Sequence, residues 1–443
     1  MKRTSVCVRE YARLCTTPCE ESLDQAQVSQ SAFDFLVKLN ASFSRSGASL
    51  TVLEDARHLR LDNYVGVIET PCGTRIEILP KHAEGPAAVL KSRSLLRRMI
   101  AVALDLPVRE AGTAALESFD VPLPEWIMGQ FLAALDHVVQ RGVRFDYVRV
   151  EEEQRFLRGQ LDVTRQLRQM PGRQHLFQIR HDVFLPDRAE NRLLKSAARH
   201  VLASTRSPDN WRLAHELCAR LGDVPESRDI HADFRLWRSD RNIAHYLPAK
   251  PWCALVLGEV MPLALVGETR GMSLLFPMER LFEAYVAAWL RRSLAPDATL
   301  TAQARALSLC EHDGARMFQL RPDLLVQHRG GSWVMDTKWK RIDARARADK
   351  YGLSQADFYQ MFAYGHTYMA GAGELVLIYP HWSGFQAPLP PFVMPRRGLA
   401  GDASQSMHLW VVPFDLEGPH GRLLTRHEMS SQSLFRTSEL TTA

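Results

Sequence analysis

The chain contains no run of about 18 apolar residues free of charge, which is the length a membrane-spanning helix needs. Its first residues, MKRTSVCVREYARLC, contain no apolar signal-peptide core. A cytoplasmic protein with no membrane partner is therefore expected. Cysteine is sparse. The seven present (Cys7, Cys15, Cys19, Cys72, Cys218, Cys253 and Cys310) are odd in number and dispersed. That excludes a disulfide framework and fits free thiols in a reducing compartment. Cys15 and Cys19 are spaced to share a metal, but no second Cys/His pair stands near them. The sequence lacks internal repeats, and it lacks the Gly-x-x-x-x-Gly-Lys-Ser/Thr loop that cradles nucleotide phosphates. No nucleotide is expected on this chain.

What is present is ordinary in bulk. With 443 residues, 46% apolar and 24% charged, the chain reads as a globular protein of two or three domains. A net charge of +5 permits nucleic-acid binding without requiring it. The stretch Arg155 to Arg180 holds six arginines and one acid, Asp162. It reads either as a solvated basic face or as a surface for phosphates or a partner.

The first 25 or so residues are polar. Ser29 to Phe43 has the spacing of an amphipathic helix, and alternation then marks strands on either side of the Pro71-Cys72-Gly73 turn. A helix is expected over Ser92 to Ala103. The middle of the chain reads as helical over Pro124 to Val139, Ala189 to Thr205 and the segment ending at Gly222, with Pro248 to Val266 as a buried connector. From Gly271 the order is a helix opened by Pro277, the strands MFQLRPDLLVQ and SWVMDTKWK, a helix capped by Ser354 and Asp357, and the strand ELVLIYP.

The chemistry concentrates in that last region. Side chains alternate along a strand, so Asp336 and Lys338 share one face with Val334, while Thr337 and Trp339 share the other. An acid and a lysine on an apolar strand are costly unless they have a task. A hairpin would bring Asp323, of Pro322-Asp323, close to Asp336. Two neighbouring carboxylates repel unless a cation lies between them. Mg²⁺ suits such hard oxygen ligands, with Mn²⁺ as a substitute. Lys338 can orient or deprotonate a water and offset phosphate charge. Gln360 and Tyr364, four apart, share a helix face. Either Glu279 or Glu283, also four apart, could complete the acidic cluster.

RPDLLV, WVMDTKWK, QMFAYGHTY and LVLIYP together resemble the McrC family, the nuclease subunits of McrBC-type systems that restrict modified (5-methylcytosine) DNA. YVGVIETPCGTRIEILPKH, RFLRGQLD, RAENRLLKSA and FPMERLFEAYV extend the resemblance from about Tyr64 to Pro380. The Gln360-to-Tyr364 spacing resembles the QxxxY element of RecB-like nucleases.

The resemblance implies a PD-(D/E)XK, restriction-endonuclease-like domain. In it Asp323, Asp336 and the upstream Glu283 hold metal, Lys338 is the catalytic lysine, and Gln360 and Tyr364 support it. It also implies double-stranded DNA as substrate and a hexameric McrB-like AAA+ GTPase as partner, stimulated by the N-terminal region. The expected architecture is α+β and multidomain: a partner-coupling α+β domain over 1–150 that the site can spare, a mainly helical region over 151–270, the nuclease domain over 271–424, and a disordered tail over 425–443. A non-cleaving adaptor of an AAA+ motor and a stand-alone RecB-like repair nuclease are the competing readings.

Overall fold

The structure is a computed structural model describing residues 5–44, 49–108, 121–173, 175–237, 241–258, 273–329, 331–394, 406–418, 421–426, 429 and 434–435. The chain forms two compact units. One joins Met1–Asp105 to Leu275–Ala443, and the other is Leu106–Leu274.

The first unit begins with strands β1 (Ser5–Arg9), β2 (Arg13–Cys15) and β3 (Gln25–Gln27), helix α1 (Gln30–Ser44), strands β4 (Thr51–Leu53), β5 (His58–Leu61), β6 (Tyr64–Glu69) and β7 (Arg75–Leu79), and helix α2 (Ala88–Ala103). The polar opening of the chain is therefore not a free segment. β1 pairs in parallel with β7, and Val6, Val8, Ala12 and Leu14 are buried. That pairing bridges some 70 residues, which local periodicity cannot report. The β6–β7 hairpin closes at Thr70, whose N–H donates to the Thr74 carbonyl at 2.9 Å. Nearly all of its residues are buried, because the sheet is covered on both faces.

The second unit contains helices α3 (Leu123–Arg141), α4 (Val163–Leu167), α5 (Ala189–Ser204), α6 (Pro208–Arg220), α7 (Ile230–Leu236) and α8 (Ala249–Val256). It also contains strands β8 (Asp146–Gln154), β9 (Gln160–Leu161) and β10 (Phe177–Leu185). The strands form one antiparallel sheet in the order β8-β10-β9. The arginine-rich stretch runs from the turn after β8 through β9 and the short helix α4, which carries Arg165, into β10, which carries Arg180. Its charge is partly neutralised in place. Arg180 lies 2.9 Å from Glu151 and pairs with Asp162, Arg165 lies 2.9 Å from Glu151, and Arg173 lies 3.6 Å from Glu153. Arg155, Arg158 and Arg168 remain exposed. Most of the expected connector beyond α8 lies outside the described residues.

The first unit resumes with β11 (Leu274–Pro277), which adds to the N-terminal sheet in the order β1-β7-β6-β11, and with helix α9 (Met278–Ser293). There follow β12 (Thr299–Ala302), β13 (Ser308–His312), β14 (Ala315–Gln319), β15 (Leu324–His328), β16 (Gly331–Thr337), helix α10 (Gln355–Met369), β17 (Gly373–Pro380), β18 (Phe392–Met394), β19 (Met407–Asp415) and β20 (Arg422–Leu423). The segment MFQLRPDLLVQ is thus two strands. β14 pairs with β13 in an exposed hairpin, and β15 starts only after Asp323, because Pro322 has no N–H for a ladder.

A mixed sheet runs β12-β15-β16-β17-β19-β18, with β20 beside β19. β16, β17 and β19 are parallel neighbours at its centre. On one face α10 packs through Met361 and Tyr364 against Val334, Leu375, Leu377 and Leu409. On the other, Phe282, Tyr285 and Trp289 of α9 meet Phe414 edge-on.

The units divide at Asp105 and Leu106, not near residue 150, so α3 belongs with the second unit. The residues before Asp105 also hydrogen-bond to the C-terminal part of the same unit. Met278 N–H donates to the Asn63 carbonyl at 2.9 Å, and Arg98 donates to the Leu416 carbonyl at 2.7 Å. The expectation of a disordered tail meets a partial correction: Thr425, Met429, Leu434 and Phe435 are buried, and Phe435 bridges Leu294 and packs on Trp289. Apart from Arg426, whose carbonyl accepts the Met429 N–H, the rest of that tail lies outside the described residues. No described helix is long and apolar enough to cross a membrane.

Candidate active site

β15 and β16 pair from Leu324↔Met335 to His328↔Gly331, and one further step of this register sets Asp323 opposite Asp336. Asp336 is 1% exposed, inside an apolar sheet where its other neighbour is Leu377 of β17. Lys338 lies just beyond β16, and its N–H keeps the strand in register by donating to the Ile378 carbonyl at 2.9 Å.

The Lys338 ammonium lies 2.8 Å from Asp336 Oδ2, donates to Gln360 Oε1 at 3.1 Å and lies 3.5 Å from Asp357 Oδ1. Gln360 Nε2 donates to the Tyr364 hydroxyl at 2.8 Å, and that hydroxyl donates to the Arg321 carbonyl at 2.9 Å. The four-residue spacing on α10 thus ties the lysine to the turn that presents Asp323.

Asp323 Oδ2 accepts both the N–H and the hydroxyl of Thr337, each at 2.9 Å. Alternation points Thr337 away from Asp336, but the β15 ladder ends at Leu324↔Met335. The Thr337 N–H therefore has no β15 partner, and the Asp323 carboxylate takes it. On its other side Asp323 Oδ1 lies 3.4 Å from Gln303 Nε2, which also donates to Glu283 Oε1 at 2.5 Å. Glu283 therefore meets Asp323 through the Gln303 amide, whereas Glu279 is exposed.

Three residues here were not singled out by pattern. Gln303 follows β12 with a φ of 50° and lies in no regular element. Strand alternation alone puts Thr337 on the face opposite Asp336. Asp357 was read as a helix cap, yet the Ser354 hydroxyl caps α10 by accepting from Ala356 N–H, and Asp357 lies beside Lys338 and Tyr379. Its position three before Gln360 was the available signal.

Burial, and next the like charge of Asp323, push the Asp336 carboxyl up to about 7 against the pull of Lys338. Burial and Asp323 likewise raise Glu283. For Lys338, burial works against the charge, but Asp336 more than offsets it and holds the ammonium above the ordinary lysine range. The lysine is a cation here.

These acids fit a divalent cation. Asp336 Oδ2 is buried and lies 2.8 Å from the Lys338 ammonium, and among the described residues no donor is aligned to hydrogen-bond it. A buried acceptor in that condition beside a second carboxylate gains from a cation. Among the described residues no three Asp, Glu, His or Cys side chains form a ready metal cage. Mg²⁺ does not need one, since it takes one or two carboxylates and completes its shell with water and substrate phosphate.

The family model for "McrBC 5-methylcytosine restriction system component" matches residues 59–380. Among solved structures, the chain resembles one from a half-complex of the tetradecameric assembly of Thermococcus gammatolerans McrB AAA+ hexamers with bound McrC. The TM-score is 0.70 at 19% identity, over 94% of this chain and 96% of that one. A second, from the McrBC complex of the same organism, gives a TM-score of 0.51 at 22% identity, over 65% of this chain and 88% of that one. At these identities the likeness is one of fold. The search of curated proteins gives no match. With nearly three quarters of its length matched by the family model, the chain belongs to the McrBC family of 5-methylcytosine restriction system components, the family to which the resemblance to McrC pointed.

Proposed function

We propose that this chain is the nuclease subunit of a modification-dependent restriction system, with a PD-(D/E)XK site that hydrolyses DNA phosphodiesters. The observation that carries the reading is the buried Asp336, opposed by Asp323 and flanked by a charged Lys338. A non-cleaving adaptor has no use for two acids held against their mutual repulsion.

Asp323 and Asp336 would hold Mg²⁺ or Mn²⁺, with Glu283 reaching it directly or through water. A bound ion would supply Lewis-acid polarisation of the scissile phosphate and a lower pKa for coordinated water. The chain's own groups do the rest. Lys338 presents a fixed positive charge where negative charge grows in the transition state. Gln360 and Tyr364 hold that ammonium in place, and Thr337 fixes the carboxylate plane of Asp323.

One neighbour of known structure comes from an assembly of McrB AAA+ hexamers with bound McrC, and the other from an McrBC complex. We extend this to a similar AAA+ GTPase as the partner that delivers double-stranded DNA and whose hydrolysis this chain stimulates. The absence of a P-loop here agrees with a motor on another chain. The test is a cleavage assay on methylated and unmethylated plasmid with Mg²⁺, the partner GTPase and GTP, omitting one component at a time. Cleavage that needs all of them supports the reading. A complete mixture that hydrolyses GTP yet leaves DNA whole supports the adaptor.

A further inference from the structure

Glu10 follows β1 and is fully buried. One carboxyl oxygen, Oε1, accepts the Lys81 backbone N–H at 2.7 Å and the Trp339 indole N–H at 2.8 Å. The other, Oε2, is buried with no hydrogen-bond partner among the described residues. Glu10 is itself fixed, since its N–H donates to the Leu79 carbonyl at the end of β7 at 2.9 Å. A carboxyl placed among apolar groups is costly unless it fixes something.

What it fixes is the residue that follows Lys338. The Trp339 ring packs on Phe282 with 5.3 Å between centroids, and Phe282 is the neighbour of Glu283 on α9. Two residues further on, Arg341 donates to the His82 carbonyl at 2.9 Å and to Glu84 at 2.6 Å. The backbone leaving β16 is therefore clamped at two points to the end of the N-terminal sheet. Lys338 extends from this clamped stretch toward Asp336 and Gln360.

We propose that Glu10 is a positioning residue for Lys338: through the Trp339 indole, the N-terminal sheet sets the backbone from which the lysine reaches its partners. This rests on the nuclease reading above. Glu10 touches no reacting group, so its effect is on geometry, and a small misplacement of a catalytic group costs up to about a hundredfold in rate.

The test uses the full chain with its partner GTPase, GTP and Mg²⁺, in plasmid cleavage, with Asp336→Ala as the inactive control. Glu10→Gln keeps a carbonyl acceptor for both N–H groups. Trp339→Phe keeps a ring on Phe282 but has no N–H to donate. Glu10→Gln should hold kcat within about twofold, while Glu10→Ala and Trp339→Phe should lower it about tenfold to a hundredfold with KM for DNA unchanged. The two losses should not add, since both break the same bond. A purely structural Glu10 gives a loss that tracks the fall in melting temperature and leaves Trp339→Phe fully active, and that result overturns the inference. Additive losses overturn it too. Should Glu10→Ala fail to fold, Trp339→Phe decides alone.

If Asp336→Ala cuts at the wild-type rate, the nuclease reading is what fails. The indole N–H resonance of Trp339, assigned by its absence in Trp339→Phe, still reports on Glu10. It should move upfield in Glu10→Ala and stay in place in Glu10→Gln. A resonance indifferent to both variants contradicts the role given to Glu10.

Discussion

Thr337 gives both its backbone N–H and its hydroxyl to a single oxygen of Asp323, each at 2.9 Å. That oxygen is satisfied within the chain, and the remaining oxygen faces Gln303 and the site. Thr337→Val keeps the shape and the backbone bond but removes the hydroxyl. A hydrogen bond to a charged acceptor contributes about 1.5–3 kcal/mol, so cleavage should slow about tenfold or more. Thr337→Ser should restore it. Initial cleavage rates of the three proteins decide this, and a Val variant as fast as wild type leaves the orientation of Asp323 to other groups.

Gly365 lets α10 lie close to the sheet. A Cβ there would stand 2.3 Å from Met407 Sδ and 3.2 Å from Leu375 Cδ1. Helix propensity favours alanine by about 1 kcal/mol, but overpacking costs about 1–3 kcal/mol. Gly365→Ala should therefore be destabilised in urea titration. It should also cut slowly, because α10 carries Gln360 and Tyr364. An unchanged denaturation midpoint would mean that Met407 yields freely.

Burial raises the Glu10 carboxyl from 4.5 to about 7, against the pull of its hydrogen bonds from Lys81 and Trp339. The folded state keeps a proton that the unfolded chain releases at lower pH. The resulting stabilisation is complete below about 4.5 and is lost as pH rises through about 7. Its full size is about 3 kcal/mol. Glu10→Gln has no such proton, so the stability of wild type relative to this variant should fall by that order between about pH 4 and pH 8. Paired denaturation curves measure it. A difference that does not change with pH would place the Glu10 titration elsewhere.

The sequence made legible whatever rests on local period. α9, α10, β16 and β17 are among the longer elements of this region, and Asp336 and Lys338 stand two apart, near and just past the end of β16. The four-residue step from Gln360 to Tyr364 needed only helix geometry. Contacts set by distant pairing were hidden. Glu10 meets Trp339 across 329 positions, and β1 finds β7 only in the folded sheet. Part of the charge of 155–180 is opposed by acids that precede it in the chain: Arg180 meets Glu151 across the β8–β10 pairing, and Arg173 lies near Glu153. The bond from Thr337 to Asp323 was hidden because strand alternation places Thr337 on the face opposite Asp336, while the β15 ladder ends two residues earlier and leaves the Thr337 N–H to the Asp323 carboxylate.

The central claim is that Asp336, with Asp323 and Lys338, makes a metal-dependent site that cuts DNA. Its most direct test is the rate of plasmid cleavage by wild type and Asp336→Ala as Mg²⁺ is raised from zero in the presence of the GTPase partner. Wild type should cut only when Mg²⁺ is present. Asp336→Ala should lose about a thousandfold in rate, roughly 4 kcal/mol of barrier, at every Mg²⁺ concentration. Cleavage by Asp336→Ala at the wild-type rate, or cleavage by wild type in EDTA, would contradict the account.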